Sequence, residues 1–304
     1  MTTRTTVKVA LLAGLLSLPI AARAQTTQLE GANSDFPDQT LVMPFAASGS
    51  RSTFFSISNC WPGDLTARWT FYDKSGEQIA QVDRFILSNC GTDVVDITSV
   101  RNRTFSDGQF SEGPAQSLAG HDGFVVVSGD TNPALIGNFT IANLDTNSAF
   151  GVGAAGFGTV GALKQGGVLL GTSFNPSTLQ DNLLIVLGIN SPTITSLTNG
   201  APPPDQAVFN VKITLIDNSA TGTLAETTVP VTGTALFASL QSLFPGVSLN
   251  SSLTLYIQAT EGPGYTGTSL DPDSDTGVGI IGYYGQAVGP FGAGQNLRAG
   301  AFFQ

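Results

Sequence analysis

Short runs rich in Val, Ile, Phe and Thr, each ended by Gly, Asn, Asp or Pro, recur along this chain, and almost nothing in it repeats at helical spacing. The clearest runs cover residues 53–59, 66–73, 124–129, 136–144, 183–189, 209–217 and 252–259. β-Branched and aromatic residues pack well on a pleated surface, and turn residues at both ends set strand length. The pattern therefore predicts an all-β fold. Lys74-Ser75-Gly76 lies between the runs 66–73 and 78–85 and reads as a hairpin turn. One helix is expected, over 234–243, where Leu236, Leu240 and Leu243 fall on one helical face before Pro245-Gly246 stops it.

The runs also repeat as a series. In the first half the order is 53–59, 69–73 (ending in Asp73), 94–100, 123–127, 135–139 and a Gly-rich apolar close at 150–157. In the second half it is 183–190, 213–217 (ending in Asp217), 236–243, 253–257, 280–284 and a close at 299–303. Corresponding runs are about 130 to 145 residues apart, a spacing that signals a duplicated unit. The joint between the halves carries Gly158, Gly161, Gly166, Gly167 and Gly171, a composition typical of boundaries. The fold expected is two tandem antiparallel β-sandwich domains, immunoglobulin-like and derived from an internal duplication, over residues 41–160 and 161–304. An outer-membrane barrel fits less well. Its strands alternate apolar and polar residues, whereas 124–127 and 183–187 are continuously apolar.

The N-terminus reads as an export signal. Arg4 and Lys8 precede an uncharged apolar run at 9–18, and Ala22-Arg23-Ala24 offers small residues where a signal peptidase cuts. Cleavage assigns 1–24 to the signal peptide and leaves 25–40 as a polar N-terminal arm. The apolar run is shorter than the roughly 20 residues that span a bilayer, so no transmembrane segment is expected in the mature chain. The expected location is secreted or cell-surface, in the periplasm or outside a bacterial cell. There are two cysteines, Cys60 and Cys90. In an oxidising space the pair predicts a disulfide, worth about 3–4 kcal/mol on the loop-entropy argument.

Charge then excludes partners. The chain has a net charge of −10, and cleavage removes Arg4, Lys8 and Arg23 but no acid, making the mature form more acidic still. Such a surface repels nucleic acid and anionic membranes. Charged residues make up 11% of the chain, against about 25% in ordinary globular domains. A sparsely charged, Gly- and Thr-rich surface suits packing against copies of the same chain or against a polymer.

Several motifs bear on chemistry. Gly151-Val152-Gly153-Ala154-Ala155-Gly156 matches the dinucleotide fingerprint as a string, but the Gly-rich residues after it cannot form the helix that meets a pyrophosphate. Asp275-Thr276-Gly277 stands alone, where aspartic-protease chemistry needs two such loops. Asp271, Asp273 and Asp275 alternate as the first ligands of a calcium loop do, so calcium is the one cofactor the sequence suggests. A solvated acidic turn is the plainer reading of the same residues. His121, the single histidine, precedes Asp122-Gly123 with no G-x-S-x-G elbow to accompany it. Trp69 lies in a strand and belongs to the core. Trp61, beside Cys60 and before Pro62-Gly63, is placed to be exposed and to stack on a sugar ring.

The sequence thus leads to a non-catalytic, exported structural or assembly protein of the cell surface or extracellular matrix, a filament, surface-layer or matrix subunit whose partners are copies of itself or other cell-surface components. The second reading is a secreted glycan-binding module or adhesin acting through Trp61. A hydrolase using His121 or the 271–275 loop ranks third.

Overall fold

Strand order follows from how each run buries its side chains. The computed structural model describes residues 39–89, 91–96, 118, 120–130, 134–157, 168–170, 181–188, 209–219, 222–247, 252–261, 280–288 and 291–299. The first half holds β1 (Thr40–Ala46), β2 (Arg51–Asn59), β3 (Leu65–Asp73), β4 (Gln78–Leu87), β5 (Thr92–Asp96), β6 (Asp122–Gly129), β7 (Leu135–Asn143), β8 (Ser148–Gly153) and β9 (Ala155–Phe157). The second holds β10 (Val168–Leu170), β11 (Asp181–Gly188), β12 (Phe209–Asp217), β13 (Gly222–Val231), β14 (Ala235–Ala238), α1 (Leu240–Leu243), β15 (Leu253–Glu261), β16 (Ile280–Val288) and β17 (Phe291–Ala299). The described chain is nearly all β, as expected, and every strand pairing described is antiparallel.

Sheet I runs β4-β3-β6-β1-β9 and sheet II runs β5-β2-β7-β8. They close on each other through alternate residues. Phe55 of β2 meets Trp69 and Phe71 of β3 with ring centroids 6.0 and 6.3 Å apart, and Phe45 of β1 meets Phe71 at 6.1 Å. Sheet III has eight strands in the order β13-β12-β15-β10-β17-β16-β11-β14. It folds back on itself: Val211, Ile213 and Leu215 of β12 and Leu255 and Ile257 of β15 share one apolar cluster with Leu184 and Val186 of β11. Strand β17 joins the two layers, pairing with β16 along most of its length and with β10 at Arg298 and Ala299. The strand order of the second half repeats that of the first. The series β4-β3-β6-β1 and β5-β2-β7-β8 becomes β13-β12-β15-β10 and β14-β11-β16-β17.

The expected helix over 234–243 is corrected. Residues 235–238 pair with Leu184 to Leu187 of β11 as strand β14, and only Leu240–Leu243 make a helical turn, capped by the Ser239 hydroxyl. The leucine spacing did mark residues aimed at one core: Leu240 is buried in the second apolar cluster, with Leu236 and Leu243 packed against it. A strand followed by one turn reaches that core as well as a helix would.

The two halves share buried surface. Leu183, Ile185 and Leu187 belong to the first-half core, while Leu184 and Val186 on the opposite face of β11 belong to the second. A strand buried on both faces reads as an unbroken apolar run, which is how 183–187 reads. Tyr283 and Tyr284 divide in the same way. The Tyr283 hydroxyl donates to the Val42 carbonyl at 3.1 Å, and its ring meets Phe139 edge-on at 5.1 Å. Arg51 and Asp181 form an ion pair at 2.8 Å, and Asn143 donates to the other Asp181 oxygen at 3.0 Å. The Lys74 carbonyl accepts from the amides of Thr234 and Ala235. Gly233, at φ +108°, lets that backbone approach, since a Cβ there would sit 2.7 Å from the Ser75 Cα. Burial pushes the Tyr72 hydroxyl up to about 12, against weaker lowering by Thr70 and Arg68, so it stays neutral at physiological pH.

Gly285 tests this joint. A Cβ there would lie 2.1 Å from the ring of Phe150, a first-half residue. Gly285→Ala is expected to destabilise the protein by about 1–3 kcal/mol or more through overpacking. Calorimetry of the wild type should show a single transition, with the whole of it moved down in the variant. Two wild-type transitions, of which only one moved, would mean that the halves unfold separately.

Candidate functional site

Asn59 is the last residue of β2 and its side chain points inward, 2% exposed. There it organises the turn that follows. Its Nδ2 donates to the carbonyls of Gly63 (2.7 Å), Leu87 (3.2 Å) and Ser88 (3.2 Å), and its Oδ1 accepts the Trp61 amide at 2.8 Å. The Cys60 amide donates to the Ala134 carbonyl at 2.7 Å, tying the same turn to the chain leading into β7. A buried amide with its hydrogen bonds satisfied holds backbone in one conformation. The result is a fixed turn that presents Trp61, 37% exposed, to solvent.

Sheet II continues away from that turn. On its outward face β2 presents Phe54, Ser56 and Ser58, and β5 presents Thr92 and Val94 in register with it. Phe54 is 38% and Val94 56% exposed. The Ser58 and Thr92 hydroxyls are bonded to each other at 2.7 Å. Among the described residues the large apolar side chains left exposed are these two with Trp61, Leu144 and Leu224. Three of the five therefore lie on one sheet face or at its end, a clustering that marks interaction surfaces.

A second feature was not anticipated from sequence. β13 is ten residues long, lies at the end of sheet III and, among the described strands, pairs with β12 alone, and most of its residues are exposed. It carries Leu224 and one charge, Glu226, which lies 3.0 Å from the Lys212 ammonium of β12. The other sheet edges are blunted. β8 has six residues, β5 five, β14 four and β9 three, and β4 has two irregularities in its ladder. Short edges resist pairing with another chain and a long one invites it, and β13 keeps unbroken register with β12 from Ala225 to Val231. The Thr-rich alternation of 222–231 is the signal that would have flagged an exposed strand.

The remaining expected sites separate clearly. Asp271, Asp273 and Asp275 fall in 262–279, outside the described residues. Cys90 is also outside them, while Cys60 is exposed at the turn after β2. The signal peptide and most of the arm lie in 1–38, likewise outside. Asp122 accepts from the Ala47 amide (3.2 Å), the Ser48 amide (3.1 Å) and the Ser48 hydroxyl (2.7 Å), and the His121 carbonyl accepts the Ala47 amide. His121-Asp122 thus secures the β1–β2 turn. Residues 151–153 lie in β8 and 155–157 in β9, so the Gly-rich string is itself strand. Among the described residues no three His, Cys, Asp or Glu side chains cluster to hold a metal, and no helix is long and apolar enough to cross a membrane.

Asn59→Ala removes the amide and leaves three carbonyls and one N–H short of a partner. It is expected to destabilise the protein by about 1–3 kcal/mol and to shift Trp61 emission to the red, with buried Trp69 as internal reference. Unchanged emission and unchanged urea midpoint would show that Asn59 does not organise the turn.

No family model matches the chain, and no curated protein matches it significantly.

Proposed function

We propose that this chain is an exported, non-catalytic structural subunit of a cell surface or extracellular matrix, and that its copies join through strand β13. The observation that carries this reading is the length and exposure of that edge. The free side of an edge strand offers a row of N–H and C=O groups to a neighbouring strand. Two β13 edges pairing antiparallel about a two-fold axis give a self-complementary contact and one continuous sheet. The charge pattern within 1–24 supports export. The acidity of the chain supports a salt-dependent contact, since like charge opposes association until ions screen it.

The finer architecture belongs to the same reading. The two halves are copies of one sandwich, immunoglobulin-like in the limited sense that antiparallel sheets face each other. Support comes from the repeated strand order and from two matching details. The β3–β4 ladder slips between Phe71 and Tyr72, and the β12–β13 ladder slips between Leu215 and Ile216, two residues before Asp73 and Asp217 respectively. Asp73 Oδ1 then accepts the Ser75 amide (2.8 Å) and hydroxyl (2.5 Å), and Asp217 Oδ1 accepts the Ser219 amide (2.8 Å) and hydroxyl (2.6 Å).

A disulfide between Cys60 and Cys90 also forms part of this reading. Ser58 pairs with Thr92, and the Asn59 amide donates to the Gly91 carbonyl at 2.9 Å. These contacts bring the strand end that leads to Cys60 beside the start of β5, and a lone cysteine pair in an exported chain favours a disulfide.

Light scattering of the exported chain should show particles larger than a monomer, growing as salt is raised. The double variant Thr223→Glu, Thr228→Glu adds carboxylates to the edge and should weaken association at least about tenfold, near 1.4 kcal/mol, with its melting temperature unchanged. A wild type monomeric at every salt concentration, or a variant that assembles normally, would sink the proposal. For the disulfide, alkylation without reduction should add no mass to the exported chain; an added alkyl group would refute it.

A further inference from the structure

We propose that the outward face of sheet II, with Trp61 at its end, is a binding face for an uncharged polysaccharide. This goes beyond self-assembly and rests on different residues. The face has the two ingredients sugar polymers need. Flat apolar groups meet the apolar faces of sugar rings, and hydroxyl or amide groups exchange hydrogen bonds with the ring substituents. Phe54 and Trp61 supply the first, both about 40% exposed or slightly less. Ser56, Ser58 and Thr92 supply the second, with Asn138 and Thr140 of β7 paired to Ser56 and Phe54 on the same face.

Charge selects among occupants. Among the residues of β2, β5 and β7 paired along the register from Phe54 to Ser58 whose side chains are described, none on this face is ionisable. The face lacks the lysines or arginines that would hold an acidic polymer or phosphate, in a chain whose net charge of −10 repels both. It also lacks the concentrated acid that would attract a basic protein. An uncharged polymer rich in hydroxyl groups matches what is present.

Rigidity matters as much. An exposed tryptophan on a mobile loop loses side-chain and loop freedom on binding, about 0.5–1.5 kcal/mol for each immobilised side chain. Trp61 has had its turn fixed beforehand by the buried Asn59 amide. Gly63 lies against the indole, where a Cβ would be 3.6 Å from Trp61 Cδ1. An open strand face with a pre-set aromatic at its end suits an extended chain rather than a small ligand in a cavity.

The test is electrophoresis of the exported chain through native gels containing hydroxyethyl cellulose, mixed-linkage β-glucan, dextran or, as the acidic contrast, alginate. At least one neutral polymer is expected to retard the wild type, equally at low and high salt, and alginate is not. Trp61→Ala and Phe54→Ser should each weaken retardation at least about tenfold, Trp61→Phe should keep part of it, and circular dichroism should confirm that all three fold. The edge variant Thr223→Glu, Thr228→Glu should be retarded as the wild type is, which separates failure of this proposal from failure of edge assembly. Absence of retardation by every neutral polymer, retardation that Trp61→Ala leaves intact, or binding confined to alginate would overturn it. So would a Trp61→Ala chain that loses self-association and keeps its retardation, since the face would then be a contact between copies.

Discussion

The structure depends on a strand that belongs to two cores. In β11, Leu183, Ile185 and Leu187 face one way and Leu184 and Val186 the other, and all five are buried. Each such side chain contributes about 1.5–3 kcal/mol when fully removed from water. Separating the halves would expose one whole face of this strand, together with Tyr283 and the Arg51–Asp181 pair. The second half is therefore a wall of the first as well as the holder of an apolar cluster of its own. A partly buried ion pair at that joint adds little net stability but penalises any other register, because a misaligned joint would leave Asp181 partly desolvated without its cation.

Much of the fold was legible because strands advertise themselves. Val, Ile, Phe and Thr between turn residues located most of the long strands, and the Asp-ended runs at 73 and 217 became equivalent hairpin turns with equivalent side-chain bonds. What could not be read was the sharing of one core. The run 183–187 is apolar on both faces, but sequence cannot say which second layer lies behind it. The segment 234–243 misled for a related reason: a strand residue and a residue of the following turn can meet one core at helical spacing.

The sites were less legible, and unevenly so. Trp61 was placed correctly at an exposed turn, because Pro62-Gly63 after it forbids continued strand. The role of Asn59 was invisible, since an asparagine at a strand end looks like any turn residue until its side chain is seen to bind three carbonyls. The β13 edge was missed as well. The Thr-rich alternation of 222–231 signals an exposed strand, but position at the end of a sheet is a property of the whole topology. His121-Asp122 showed the reverse, a pair suggestive of chemistry that secures a turn.

Strand β17 has a consequence for the order in which the chain takes shape. It alone connects β10 with β16 in sheet III, and β16 supplies the Tyr283 bond to Val42, which spans 241 positions of sequence. Neither layer of the second half has its full set of neighbours until residues up to 299 are present. Loops this long close slowly, because their entropy is lost before any distant contact compensates for it. Completion thus waits on the end of the series, and a partly made chain holds β10 and β16 with open sides. Such a chain commits late, and it stays pliable for as long as its final strand is missing.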